Sequence, residues 1–259
     1  MRAIRCLVAA VLAAGIVTVV AAQQPGGGRG GNQDVNTLVF TNAALQEELK
    51  VTDAQKTKMK PVADKQAEIT KALRDAFGGG KFDKDKLTEL NEKRTKVAEE
   101  AKKVADETLT DAQKKRLHQI AIQVMSFNVF NDPEAKGGKG GFGGATDAQK
   151  AIMKEVGDAL KLSDKQKRTV KGVVDDFNKE RGDINKEAGI TGGGFGMKGG
   201  KAPDQEKVDA ANKKIDKLRK DSWTKIEESL EATQKTAWKG LVGDAFDTSK
   251  LNPPVMKKD

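Results

Sequence analysis

The sequence predicts an all-α protein: two tandem helical-hairpin modules with long amphipathic helices and Gly-rich loops. Apolar residues recur at three- and four-residue steps over long stretches, the period of a helix with one buried face. No stretch alternates β-branched or aromatic residues with polar ones as a strand would. A short phrase also recurs four times in two pairs. Val51-Thr52-Asp53-Ala54-Gln55 pairs with Leu109-Thr110-Asp111-Ala112-Gln113, and Leu162-Ser163-Asp164-Lys165-Gln166 with Leu230-Glu231-Ala232-Thr233-Gln234. The glutamines are 58 residues apart in the first pair and 68 in the second, and a longer Gly-rich stretch at 191–203 absorbs most of the difference. Such long-period repetition reads as a duplicated module.

Residues 1–22 read as a signal peptide. Arg2 and Arg5 precede an apolar run, and Val20-Ala21-Ala22 supplies a small-residue cleavage site. The run is shorter than a membrane span requires. The expected localisation is therefore outside the cytoplasm, in the periplasm, cell envelope or exterior. Cys6, the only cysteine, lies in this leader, so the mature chain is expected to carry no disulfide and no thiol chemistry. Removing Arg2 and Arg5 takes the formal charge from +9 to +7. Charged residues make up 33% of the chain with both signs interspersed, which suits solvated helix faces better than a polyanion cleft. With 4% aromatic residues and no tyrosine, the cores should be thin.

The elements follow in order. Residues 23–35 form a Gly-rich segment expected to be disordered, and 36–131 the first module. Residues 132–145 form a Gly/Lys linker, 146–247 the second module and 248–259 a flexible tail. Each module should run from a short lead-in helix through a long helix, a Gly-rich turn and a second long helix to a closing helix. In the first long helix Met59, Val62, Gln66, Ile69 and Leu73 share a face, and Pro61 is expected to kink it. The second carries Leu87, Leu90, Val97, Ala101 and Val104, and the closing helix Leu117, Ile120, Ala121 and Val124. The second module repeats this with Val170, Val173, Val174, Phe177, Arg181 and Ile184, then Val208, Ala211, Ile215, Leu218 and Ile226. Its closing helix is expected over Trp238, Leu241, Val242 and Ala245. Narrow stripes and short connections predict antiparallel pairing of the long helices.

The repeated phrase is a capping box. The hydroxyl of Thr52, Thr110 or Ser163 accepts from the amide three residues on, while Gln55, Gln113 or Gln166 reaches back to the cap residue's own amide. Asp after the cap suits the positive end of the helix dipole. Val51, Leu109, Leu162 and Leu230 are placed to pack on a neighbouring helix. Thr146-Asp147-Ala148-Gln149 is a further box, at the lead-in helix of the second module. In the fourth phrase Glu231 replaces the hydroxyl residue ahead of Gln234, so the preceding helix is expected to run straight through.

Two Leu-Thr-x-x-Gln phrases framing a long hairpin behind a signal peptide resemble the Spy/CpxP family of bacterial periplasmic proteins. The chain also resembles duplicated secreted proteins of planctomycete type. That likeness rests on Leu49-Lys50-Val51-Thr52-Asp53-Ala54-Gln55, Arg116-Leu117-His118-Gln119-Ile120, Leu160-Lys161-Leu162-Ser163-Asp164-Lys165-Gln166 and Gln234-Lys235-Thr236-Ala237-Trp238-Lys239. The first resemblance implies a small all-helical cradle that holds unfolding clients without ATP or reports envelope stress. Family members are homodimers. The internal duplication leaves two options for this chain, a monomeric pseudo-dimer or a homodimer.

No catalytic, cofactor-binding or metal-ligating set emerges, and the chain is not expected to be an enzyme. His118 is the only histidine, so a zinc cage within one chain lacks its usual ligands. It reads as a helix-surface or packing residue, with pH sensing as the alternative. Asp175-Asp176 and Glu227-Glu228 are adjacent pairs that point apart on a helix, and fit a solvated face. The run Gly192 to Lys201 lacks the Gly-Lys-Ser/Thr ending of a phosphate loop and follows no strand. Short basic pairs without stacking aromatics do not fit nucleic-acid recognition. Phe142, Phe195 and Met197, apolar residues in Gly/Lys loops, are candidate client contacts. Trp223 and Trp238 are also candidates, with packing between helices as their first reading. Two functions remain: a holdase or stress adaptor binding partly folded proteins, or an envelope protein binding anionic lipid or polysaccharide through its positive charge.

Overall fold

A computed structural model describes residues 35–78, 84–134, 145–190 and 204–251. The fold is all-α, with no strand among these residues. In order come α1 (Val35–Leu38), α2 (Ala43–Glu48), α3 (Asp53–Gly78), α4 (Lys84–Thr108) and α5 (Asp111–Met125). A 3₁₀ turn, Ser126–Phe130, follows. The second half holds α6 (Asp147–Leu160), α7 (Asp164–Glu187), α8 (Gln205–Ser229) and α9 (Ala232–Val242), then a second 3₁₀ turn, Thr248–Leu251. The leader, the Gly-rich segment after it to residue 34, the internal stretches 79–83, 135–144 and 191–203, and with them the candidate contacts Phe142, Phe195 and Met197, lie outside the described residues.

Local chemistry sets the helix starts. Thr110, Thr146 and Ser163 each sit in extended backbone and close a full capping box with the glutamine three residues on. Thr52 makes the same pair of bonds, donating its N–H to Gln55 Oε1 at 2.9 Å and accepting from Gln55 N at 3.3 Å. Pro61 lies within α3, which runs continuously from Asp53 to Gly78. The expected passage of α8 through Glu231 does not occur: α8 stops at Ser229, and Leu230 is extended at φ −84°, ψ 144°. The closing helix is also shorter than expected, because Gly243 at φ 60° turns the chain away before Ala245.

α3 packs along α4 and α7 along α8, each pair antiparallel, since the start of one helix meets the end of the other. α1 lies on α4 and α5, α6 on α9, and α5 on α9. One continuous apolar core links both halves, from Val39, Leu45 and Ile120 to Leu160, Ile226 and Val242. Each such aliphatic side chain contributes about 1.5–3 kcal/mol on burial.

The halves are joined by a reciprocal exchange of chain ends. Ser126–Phe130 leaves α5 and lies against α6, where Phe127 and Phe130 meet aromatic rings of the second half. In return, the segment after α9 lies on the first half. Phe246 and Leu251 are buried there, and Asn42 Nδ2 donates to the carbonyls of Lys250 and Leu251 at 3.2 and 3.3 Å. Residues 248–251 are therefore an ordered part of the fold and not flexible tail, because these apolar and polar contacts fix them; residues 252–259 lie outside the described residues.

Candidate functional site

Each pair of repeated phrases closes into one hydrogen-bonded clasp. In the first half Gln55 Nε2 donates to Gln113 Oε1 at 2.8 Å, and Gln113 Nε2 returns a bond to Gln55 Oε1 at 3.1 Å. Gln55 Nε2 also donates to the Thr108 carbonyl at 2.8 Å, and Gln113 Nε2 to that of Leu49 at 3.0 Å. The second half repeats the arrangement. Gln166 Nε2 bonds Gln234 Oε1 at 2.7 Å and the Ser229 carbonyl at 2.8 Å. Gln234 Nε2 bonds Gln166 Oε1 at 3.2 Å and the Leu160 carbonyl at 2.8 Å.

The chemistry explains why the phrase comes in pairs. A primary amide has two acceptor and two donor sites. One Oε1 site caps the glutamine's own helix start, leaving the donors to take a partner amide and an orphan carbonyl at the end of an oncoming helix. Four helix termini meet at each clasp. The glutamine is therefore the residue the geometry requires, and Glu231 can replace the cap hydroxyl while its N–H still reaches Gln234 Oε1 at 2.8 Å. The clasp also ends α8, because Ser229's carbonyl and Glu231's N–H are both held by it. Val51, Leu109 and Leu230 are buried beside the clasps, and Leu162 is half-buried.

A double-mutant cycle on Gln166 and Gln234 should show the coupling. Each single alanine is expected to cost about 2 kcal/mol, because it strands a carbonyl and the partner amide. The double variant should cost about 1 kcal/mol less than the sum, as the reciprocal bonds are lost only once. Urea denaturation measures all three, and strict additivity would rule the clasp out.

Trp223 and Trp238 are packed between helices, the first of the two readings that their spacing allows. They are 2% and 4% exposed, their rings stack at 5.2 Å, and Phe130 lies 5.8 Å from each. Phe127 joins Trp223 at 4.8 Å and Phe177 at 4.9 Å. Burial between the halves withdraws both indoles from solvent. His118 lies at the same junction, with Nε2 2.7 Å from Glu155 Oε2, linking α5 to α6. Burial pushes the Glu227 carboxyl up, with Lys235 opposing it. Among the described residues no group of three or more His, Cys, Asp or Glu converges on a possible metal position. Also among them, no helix is long and apolar enough to cross a membrane.

The accessible apolar surface lies instead along the two long-helix pairs. α3 and α7 each pack mainly on a single helix, so much of their circumference faces solvent. In α3 Met59 and Val62 are buried, whereas Ile69 and Leu73 are half-buried. Leu87 and Val97 of α4 are likewise half-buried, as are Val173, Val174 and Ile184 of α7 and Val208 and Leu218 of α8. These seams also hold buried polar atoms without a hydrogen-bond partner: Gln66 Nε2, Asn185 Oδ1 and Asn212 Oδ1. Each pair is a narrow amphipathic arm roughly 36–39 Å long, bordered by charges such as the Lys65–Glu100 bridge at 2.7 Å.

Comparison with models of protein families, with curated proteins and with solved structures finds no match to this chain.

Proposed function

We propose that the protein is an exported, ATP-independent protein-binding module, a holdase or envelope stress adaptor of Spy/CpxP type. The observation that carries this reading is the pair of arms, α3–α4 and α7–α8, whose apolar seams are half-buried and in which α3 and α7 each pack mainly on one partner helix. The clasps and the aromatic junction hold the base of each arm. The seams offer a partly unfolded protein shallow apolar contacts bordered by lysines, without a deep pocket. Several weak contacts on two arms of one chain would add through effective concentration. The positive charge would steer acidic clients. The Leu-Thr-x-x-Gln phrases support the same reading by resemblance.

The test is light scattering of a chemically denatured, aggregation-prone protein with and without the purified protein, at low and high salt. Stoichiometric protein should suppress aggregation at both salts if the apolar seams make the capture. Suppression lost at high salt would shift the reading toward charge-led binding of anionic envelope lipid or polysaccharide. Unchanged aggregation at both salts would remove the holdase.

A further inference from the structure

The junction between the halves contains a small cavity of about 40 Å³, walled in part by the Phe127–Phe177 pair. Its walls include Ser126 and Asn128 from the 3₁₀ turn after α5, Phe177, Asn178 and Arg181 from α7, and Arg219 from α8. Arg219 is 2% exposed. Its Nη1 donates to Asp216 Oδ1 at 2.8 Å, but Nη2 is buried with no hydrogen-bond partner. Arg181 lies on the same Phe177 ring, with guanidinium carbons 5.6 and 5.9 Å from the ring centroid for Arg181 and Arg219. Among the described residues no carboxylate lies within ion-pair distance of Arg181. Burial and the neighbouring Arg181 charge both lower the Arg219 pKa, with Asp216 opposing. Ser126, which also lines it, holds φ 50° and ψ −132°, a conformation that residues with a side chain rarely adopt.

Two guanidiniums with one bound carboxylate leave an unbalanced positive charge in a partly desolvated space. A buried, unpaired charged donor is expensive, and an anionic acceptor removes the penalty. The cavity sets the size. At about 10–15 Å³ for each water-sized position, it holds about three such positions, which suits the flat carboxylate group of a molecule whose remainder lies outside. We propose that this cavity binds a single carboxylate group, held by the Arg219 and Arg181 guanidiniums that line it. The carboxylate can come from a small free acid or from the C-terminus of a peptide.

Trp223 touches Phe127, which lines the cavity, so tryptophan fluorescence can report occupancy. The purified protein is titrated with sodium acetate, with sodium chloride and acetamide as controls at matched ionic strength. Acetate alone should give a saturable change, weakened at least tenfold in Arg181→Gln. That variant removes a half-buried side chain with no ion pair, so the fold should persist. Arg219→Lys keeps the buried charge but loses the planar donor, and should weaken acetate similarly. A tripeptide with a free C-terminus, compared with its C-terminal amide, distinguishes the sources. Binding of the acid form tighter than acetate assigns a chain terminus, and equal or weaker binding assigns a small acid. An acetate response equal to that of chloride, or one unchanged in Arg181→Gln, overturns the proposal.

Discussion

Replacing Trp223 by alanine should lower the free energy of unfolding by about 3–5 kcal/mol, the range for removing a large aromatic from a packed core. The ring is 2% exposed and lies between Trp238 of its own half and Phe127 and Phe130 from the other. The cavity left behind would therefore open the seam where the first half's trailing segment docks. Trp223→Phe should be much milder. The indole Nε1–H is buried without a hydrogen-bond partner, so its removal forfeits no bond. The difference between the two variants separates ring packing from polar contributions. Urea denaturation followed by far-ultraviolet circular dichroism measures both. An alanine variant within about 1 kcal/mol of the parent, well below the usual core penalty, would mean that the aromatic junction does not hold the halves together.

Much of the scaffold is legible in the sequence because its signals are local. The boxes at Thr110, Thr146 and Ser163 mark helix starts through bonds that span three residues. The apolar stripes mark the long helices through their own period. What those signals do not carry is the partner of each polar group. The paired glutamines contain a clue: Gln234 persists where the cap hydroxyl has become Glu231, which a purely local cap does not require. The clasp accounts for it, since Gln166 and Leu160 lie 68 and 74 residues away from Gln234.

The exchange of chain ends is less legible still. Phe127 and Phe130 follow α5 with no period to assign them a face, and residues 248–251 resemble a loose terminus in composition. Their order comes from long-range packing. The tryptophans show the same limit, since helical spacing places Trp223 and Trp238 on a face but does not say what covers it. The carboxylate cavity likewise depends on Arg219 and Arg181 meeting across two helices, on opposite sides of a Gly-rich connection.

Gln123→Leu should be the most destabilising polar substitution at the junction, at about 3 kcal/mol or more. Gln123 is 1% exposed and sits next to the α5 stripe, where an aliphatic residue would suit helical periodicity equally well. Its amide holds the end of the second half. Nε2 donates to the carbonyls of Val242 and Asp244 at 2.7 and 2.8 Å, and Oε1 accepts from Phe246 N at 2.8 Å. Leucine would restore the volume but strand buried backbone groups, each costing about 1–3 kcal/mol. Gln119→Ala is the contrasting case. Its single bond to the Gly240 carbonyl, at 3.2 Å and exposed, should be worth under about 1 kcal/mol. Hydrogen exchange localises the effect. In Gln123→Leu the Phe246 amide should exchange far faster than amides within α7, because the trailing segment detaches before the arm unfolds. A Gln123→Leu protein as stable as the parent, with Phe246 still protected, would show that apolar packing of Phe246 and Leu251 suffices. The glutamine would then be a consequence of the docking and not its cause.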